Sequence, residues 1–293
     1  MPGFSFSRIL PNYANHYLDR PLSQRERAFG IAITETRLGG AVMLTRRIIA
    51  CLEVLDGRVV NKTQFDNVAD VGDPAELSAI YSGEGADELM LLDVSVSNEK
   101  WPPFFEMVER VAKRVAIPLS VGGGILTIDD IMRLLSSGAD KVLLNSMLVE
   151  EPLLFARAAP RVGPDALVAA VEGRRQGDGW VVDVKSGTEV TELDAIEWAK
   201  TVTDCGAGEL LVTSVNREGT NNGFDLDLLR ELTWRVNVPV IASGNTGNKE
   251  EMADALKIGE ADAVLAPSAS HLNGLSIREL KQFVASKGLP VRL

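Results

Sequence analysis

The chain has 293 residues, 45% hydrophobic and 24% charged, with a formal net charge of −11. That balance belongs to a globular chain with ample core, and its sign argues against a nucleic-acid surface. Only two histidines (His16, His271) and two cysteines (Cys51, Cys205) are present, which argues against a histidine metal site, a Ser–His triad or a disulfide framework and for a reducing, cytoplasmic compartment.

Taken in chain order, residues 1–42 stand apart. They hold Pro2, Pro11, Pro21 and five arginines and show no strand–helix period. The charged start and apolar run of a secretory signal are absent. Within them Phe29–Thr34 could form a short strand or helix. The main domain is expected over residues 43–293, and no apolar run in it reaches the ~20 residues of a membrane span.

From Arg46 strands and helices alternate. Strands are expected at Ile48–Val54, Glu88–Val94, the segment ending at Val121, and Lys141–Leu144. Helices are expected over 73–83, 101–115 and 128–137, the first opened by Asp73-Pro74 as N-cap and first turn. The second half repeats the order, with strands at Leu167–Glu172, Glu209–Thr213, Val238–Ala242 and Ala263–Ala266. Its helices are expected over 193–205, 225–234, 249–258 and 277–286. Near-continuous apolar strands of this kind belong to a parallel sheet buried on both faces.

Two stretches organise the whole: Pro118–Gly124 (PLSVGGG) and its echo Pro239–Asn245 (PVIASGN). Each is followed by a second pair, GADKVLLNS over 138–146 and EADAVLAPS over 260–268. The offsets between matched landmarks stay nearly constant: 119 for Glu53 and Glu172, 121 for Glu88 and Glu209, 121 for Pro118 and Pro239, 122 for Asp140 and Asp262. Eight strands in two like halves predict an α/β (β/α)8 barrel, a TIM barrel with a two-fold internal repeat.

In such barrels chemistry sits at the C-terminal ends of the strands. Glu53, Glu172 and Asp93 end strands there, and Thr213 and Glu218 follow the sixth. Carboxylates facing one another across a mouth can serve as general acid and base. Glycines at strand ends let backbone N–H groups reach a phosphate. One phosphate site is expected at Gly123, Gly124, Asn145 and Ser146. The other is expected at Gly219, Ser243, Gly244, Asn245 and Ser268, weakened by Pro267, which has no N–H to donate. A mouth with two such sites suits an elongated substrate with a phosphate at each end. At the opposite ends of the strands Arg47, Glu88, Lys141 and Glu209 can close the barrel floor as a ring of ion pairs, either as a plug or as a gate to an axial channel. No metal or organic cofactor is indicated.

The segments RIIACLEVLDGRVV, GDPAEL, DELMLLDVS, VGGGI, GADKVLLNS, GAGELLVTSVNREGT and IASGNTG, with the ending RELKQFVASKGLPVRL, resemble the cyclase subunits of imidazole glycerol phosphate synthase, over nearly all of 43–293. The resemblance implies a barrel that receives ammonia from a glutamine amidotransferase partner. It also implies reaction with a phosphoribulosyl formimino aminoimidazole carboxamide ribotide; the charge and the apolar runs argue against a nucleic-acid or membrane partner. The resemblance assigns Arg47, Glu88, Lys141 and Glu209 to the ammonia gate, Glu53 to the general base, Glu218 to the general acid and Glu172 to an orienting or proton-shuttling role. The family carries aspartate at those three last positions, lysine where Asn61 stands and aspartate where Asn216 stands. Met43 falls where its members usually start. Two alternatives are a paralogue that uses partner-derived ammonia on another phosphorylated or sugar acceptor, and a non-catalytic barrel that activates an amidotransferase.

Overall fold

A computed structural model describes residues 35–38, 41–62, 68–95, 101–185, 187–217, 223–244, 248–266, 274 and 276–293. Phe29–Thr34 lies outside them. The chain enters through an antiparallel pair, β1 (Glu35–Leu38) and β2 (Ala41–Leu44), with Glu35 opposite Leu44.

β3 (Arg47–Leu55) opens the barrel, and β4 (Arg58–Lys62) and β5 (Val68–Gly72) add an antiparallel ribbon above it. Then follow β6 (Glu88–Asp93), β7 (Leu119–Gly122), β8 (Lys141–Leu144) and β9 (Leu167–Gln176). β10 (Gly179–Val184) and β11 (Glu189–Asp194) form a flap on β9, and β12 (Glu209–Ser214), β13 (Val240–Ser243) and β14 (Ala263–Ala266) complete the order. Parallel pairings run β3–β6–β7–β8–β9–β12–β13–β14, and β14 closes on β3, with Ala263 opposite Arg47. This is the closed eight-stranded barrel expected from the repeat.

Alternation along each strand divides the core in two. Ile48, Ala50 and Leu52 of β3 pack outward with Leu89, Leu91, Val142 and Leu210 against the helices. Ile49 and Cys51 point inward with Met90, Leu143, Val168, Ala170, Leu211, Ile241, Ala263 and Leu265. A strand with both faces buried needs apolar residues at every step, which is why these segments read as continuous runs.

The outer helices are α1 (Pro74–Gly83), α2 (Trp101–Ala112), α3 (Ile128–Ser136), α4 (Ser146–Glu150), α5 (Leu154–Val162), α6 (Ala195–Asp204), α7 (Leu226–Arg235), α8 (Lys249–Lys257) and α9 (Ile277–Ser286). Asp73 caps α1 as expected, accepting from the Ala75 and Glu76 amides at 2.9 and 3.2 Å. Asp194, Asp225, Asn248 and Ser276 cap α6 to α9 in the same way. α4 and α5 have no counterpart in the sequence reading. α5 carries Pro160 near its C-terminal end, a residue that reads as a helix breaker.

A repeated clamp fixes the strand starts. The Asp87 amide donates to the Ile48 carbonyl at 2.9 Å, and the Asp87 carboxylate accepts the Ile48 amide at 2.8 Å. Asp140 does the same to Leu119 (2.8 and 2.9 Å), and Asp262 to Val240 (2.9 and 3.0 Å). Gly208 stands in the fourth place. Its amide donates to the Leu167 carbonyl at 2.8 Å, but the Leu167 amide donates to the Pro164 carbonyl. A Cβ on Gly208 would lie 2.3 Å from that carbonyl oxygen, so the backbone has taken the space of the missing carboxylate.

Candidate active site

The floor of the barrel is a closed ring of charge. Arg47 Nη1 lies 3.0 Å from Glu88 and Nη2 lies 2.7 Å from Glu209; Lys141 Nζ lies 2.9 Å from Glu88 and 2.6 Å from Glu209. The Ser120 hydroxyl donates to the other Glu88 oxygen at 2.5 Å. Cations and anions alternate, so each charge faces two opposite ones. Burial works against the ionised form of Lys141, yet Glu209 and Glu88 raise its pKa. Burial likewise opposes the Glu209 carboxylate, yet Lys141 and Arg47 hold its pKa low. Arg47 is pushed up by the same two carboxylates against its burial.

These directions set a pH window. The depressed Glu209 contributes stability above its ordinary value of 4.5 and loses it as the pH falls below that value. The raised Lys141 contributes stability below 10.5 and loses it as the pH rises further. Urea unfolding at a series of pH values is therefore expected to find the ring's contribution flat from about pH 5 to about pH 10.

Above the floor lies the apolar interior, and above that the mouth. Glu53 follows Arg47, Ile49 and Cys51 on the inward parity of β3 and is half-buried. The Cys51 thiol is held neutral, its pKa pushed well up by burial and then by Glu53. Glu172 occupies the matching place on β9, where Asn145 Nδ2 donates to its Oε1 at 2.8 Å. Thr213 stands level with Glu172 on one side and Ser243 on the other. The mouth thus brings together Glu53, Asn145, Glu172, Thr213 and Ser243.

The Gly122–Gly124 turn has a structural requirement of its own. Gly123 has φ +103° and Gly124 φ +64°, a region favouring glycine. A Cβ on Gly123 would also lie 2.2 Å from the Asp93 carbonyl oxygen. Gly123→Ala is expected to cost at least about 2 kcal/mol through strain and collision, read as a lower denaturation midpoint. Asp93 turns its carboxylate back onto the Ser95 amide at 2.9 Å and shares the outward parity of Leu89 and Leu91. Gly244 has φ +141°. Glu218, Gly219, Asn245 and Ser268, with Pro267, lie outside the described residues.

The flap was not foreseen, and it touches both sides of the mouth. The Lys185 amide donates to Ser146 Oγ at 2.9 Å. The Arg175 amide donates to Asn216 Oδ1 at 2.6 Å, in the segment leading to Glu218. Trp180 Nε1 donates to Asp225, the cap of α7, at 2.9 Å. Arg174 and Asp183, also missed, form an ion pair at 2.5 Å. The β-prone run Trp180–Val182 directly after the Gly177-Asp178 turn was the available signal.

No helix among the described residues is long and apolar enough to cross a membrane. Among those residues no group of three or more His, Cys, Asp or Glu side chains could hold a metal ion.

The closed parallel barrel, with carboxylates at one end of its interior and a buried ion ring at the other, defines a TIM-barrel protein built for chemistry at its mouth. The family model described as "Histidine biosynthesis protein" matches residues 47–276. Two relatives from Dehalococcoides mccartyi, strains BAV1 and CBDB1, are each named imidazole glycerol phosphate synthase subunit HisF. Each is 49% identical over 251 residues, covering 86% of this chain and 99% of the relative. The chain belongs to the HisF family of imidazole glycerol phosphate synthase subunits.

Proposed function

We propose that this chain is the ammonia-dependent cyclase subunit of an imidazole glycerol phosphate synthase, working with a glutamine amidotransferase partner. The observation that carries the reading, beside family membership, is one interior with a charged ring at its floor and carboxylates at its mouth. Ammonia delivered at the floor would pass Arg47, Glu88, Lys141 and Glu209 and travel between apolar walls to the mouth. A small neutral molecule has nothing to titrate it in that interior, whereas water-borne ions are excluded by burial cost.

At the mouth Glu53 is the general base that takes a proton from the incoming nitrogen, and Glu218 is the general acid that returns one to the leaving nitrogen. Glu172, oriented by Asn145, relays or steers. Gly123, Gly124, Asn145 and Ser146 would hold one phosphate, and Gly219, Ser243, Gly244, Asn245 and Ser268 the other. Thr213 completes the wall. Glutamate where the family carries aspartate moves each carboxylate by about 1.5 Å, so the backbone at the mouth must compensate for full activity. The N-terminal 42 residues form an extension outside the 43–293 barrel.

The test is turnover of the ribulosyl substrate with excess ammonium salt at alkaline pH, followed by release of the aminoimidazole carboxamide ribotide. Turnover supports the reading, and a folded protein with no turnover at any ammonium concentration rejects it. Glu53, Glu172 and Asn216 favour one second reading: a paralogue that uses the same ammonia route on a different phosphorylated acceptor. That reading predicts partner binding and glutaminase activation without conversion of the ribulosyl substrate.

A further inference from the structure

The flap has two chemically different faces. Trp180, Val182 and Val184 are buried in the layer shared with the helices, and Arg175 lies on that side, its guanidinium 4.7 Å from the Trp180 ring. Residues directly opposite on antiparallel strands share a face. Asp183 stands opposite Glu172, and Val181 opposite Arg174. Glu172, Arg174, Val181 and Asp183 therefore share the other face, which continues the barrel interior above Val168 and Ala170.

On that face Asp183 is 0% exposed. Its Oδ2 accepts from Arg174 Nε at 2.8 Å and lies 2.5 Å from Arg174 Nη2. Arg174 Nη2 also donates to the Gly187 carbonyl at 3.0 Å. Arginine and carboxylate usually pair fork to fork, one nitrogen to each oxygen. Here both nitrogens engage one oxygen. The other, Oδ1, is buried with no hydrogen-bond partner among the described residues.

A buried acceptor without a donor is costly, and more so when it carries charge. The missing partner has to be a donor, because an ionised carboxylate only accepts. A phosphate would be repelled. Hydroxyl groups are the donors that a sugar phosphate brings to this mouth. The Arg174 bond to Gly187 already ties the flap to its own loop, so holding the flap does not require the free oxygen. We propose that Asp183, fixed by Arg174, accepts a hydrogen bond from a hydroxyl of the bound sugar phosphate and is a specificity-determining residue of the mouth. The proposal rests on the cyclase reading, since that reading puts a polyhydroxylated phosphate ester beside Glu172.

The experiment is calorimetric titration of the full chain with the ribulosyl substrate and with analogues in which one ribulosyl hydroxyl is replaced by hydrogen. Wild type is compared with Asp183→Asn and with the double variant Arg174→Met/Asp183→Leu. Replacing a buried ion pair by apolar residues of similar size is often neutral for stability, so the double variant is expected to keep its Tm. Wild type is expected to bind the parent about 10- to 100-fold more tightly than one deoxy analogue. The double variant is expected to lose that preference and bind the two alike, whereas Asp183→Asn, whose amide oxygen still accepts, is expected to weaken it only in part. Wild type that prefers no hydroxylated form, or a double variant that keeps the preference in full, would overturn the inference and leave Asp183 solvated by a fixed water only. Wild type that binds neither parent nor analogue would overturn the cyclase reading, and this inference with it.

Discussion

Replacing Lys141 by methionine is expected to destabilise the barrel by about 3–5 kcal/mol, a fall in Tm on the order of 10 °C. The side chain is 1% exposed and lies between Glu88 and Glu209. Without it two buried carboxylates share one guanidinium, and each loses a close opposite charge. Exposed pairs such as Arg58–Asp70, about half exposed on both sides, should yield no more than about 1 kcal/mol when broken. Replacing all four ring residues by apolar side chains of similar volume is expected to restore most of the loss. A thermal melt of the single and quadruple variants checks both expectations. If the quadruple variant is stable, burial of charge at the floor does not serve stability, as the proposed gate requires. A quadruple variant as unstable as Lys141→Met would favour the plug.

Glu53→Gln is expected to lower the ammonium-driven rate by about 100- to 10,000-fold, the span of general acid–base catalysis. Glutamine keeps the shape and removes the proton acceptor, so substrate binding and Tm should change little. A rate within a few-fold of wild type would remove Glu53 from the base role. Glu53→Asp asks a finer question. It pulls the carboxylate back by one methylene, and a displacement near 1 Å can cost about 100-fold. A loss on that scale would mean that the mouth is built around glutamate; a gain would mean that it still fits the shorter side chain.

The barrel and its floor were legible in the sequence for one reason. A strand buried on both faces admits only apolar residues, so Ile48–Leu52 and Leu89–Leu91 declare themselves, and a charged residue at the strand start, such as Arg47 or Lys141, stands out against them. Duplication added a second copy of each signal. The cap Asp73 was legible because a side-chain cap is a local device; Asp225 and Ser276, which cap α7 and α9 in the same way, were not read as caps. α5 was hidden by Pro160, a tolerated breaker within a helix of nine residues. The flap was hidden because β10 follows β9 after a two-residue turn, Gly177-Asp178, as an antiparallel addition that breaks the strand–helix alternation. Asp183 carried no signal in the sequence, and only the register sets it opposite Glu172, on the same face of the ribbon.

The place of Gly208 bears on how the two halves differ. Three strand starts are riveted by a carboxylate that returns the hydrogen bond its own amide makes. The fourth is closed by the Pro164 carbonyl instead. A protein made by joining two copies of residues 46–166 would carry aspartate at that seam, and Pro164 would have to be pulled away before the aspartate could fit. In the second half a bend of the main chain does the work of that side chain. The two halves thus carry an asymmetry in the masonry, and no single substitution at position 208 can undo it.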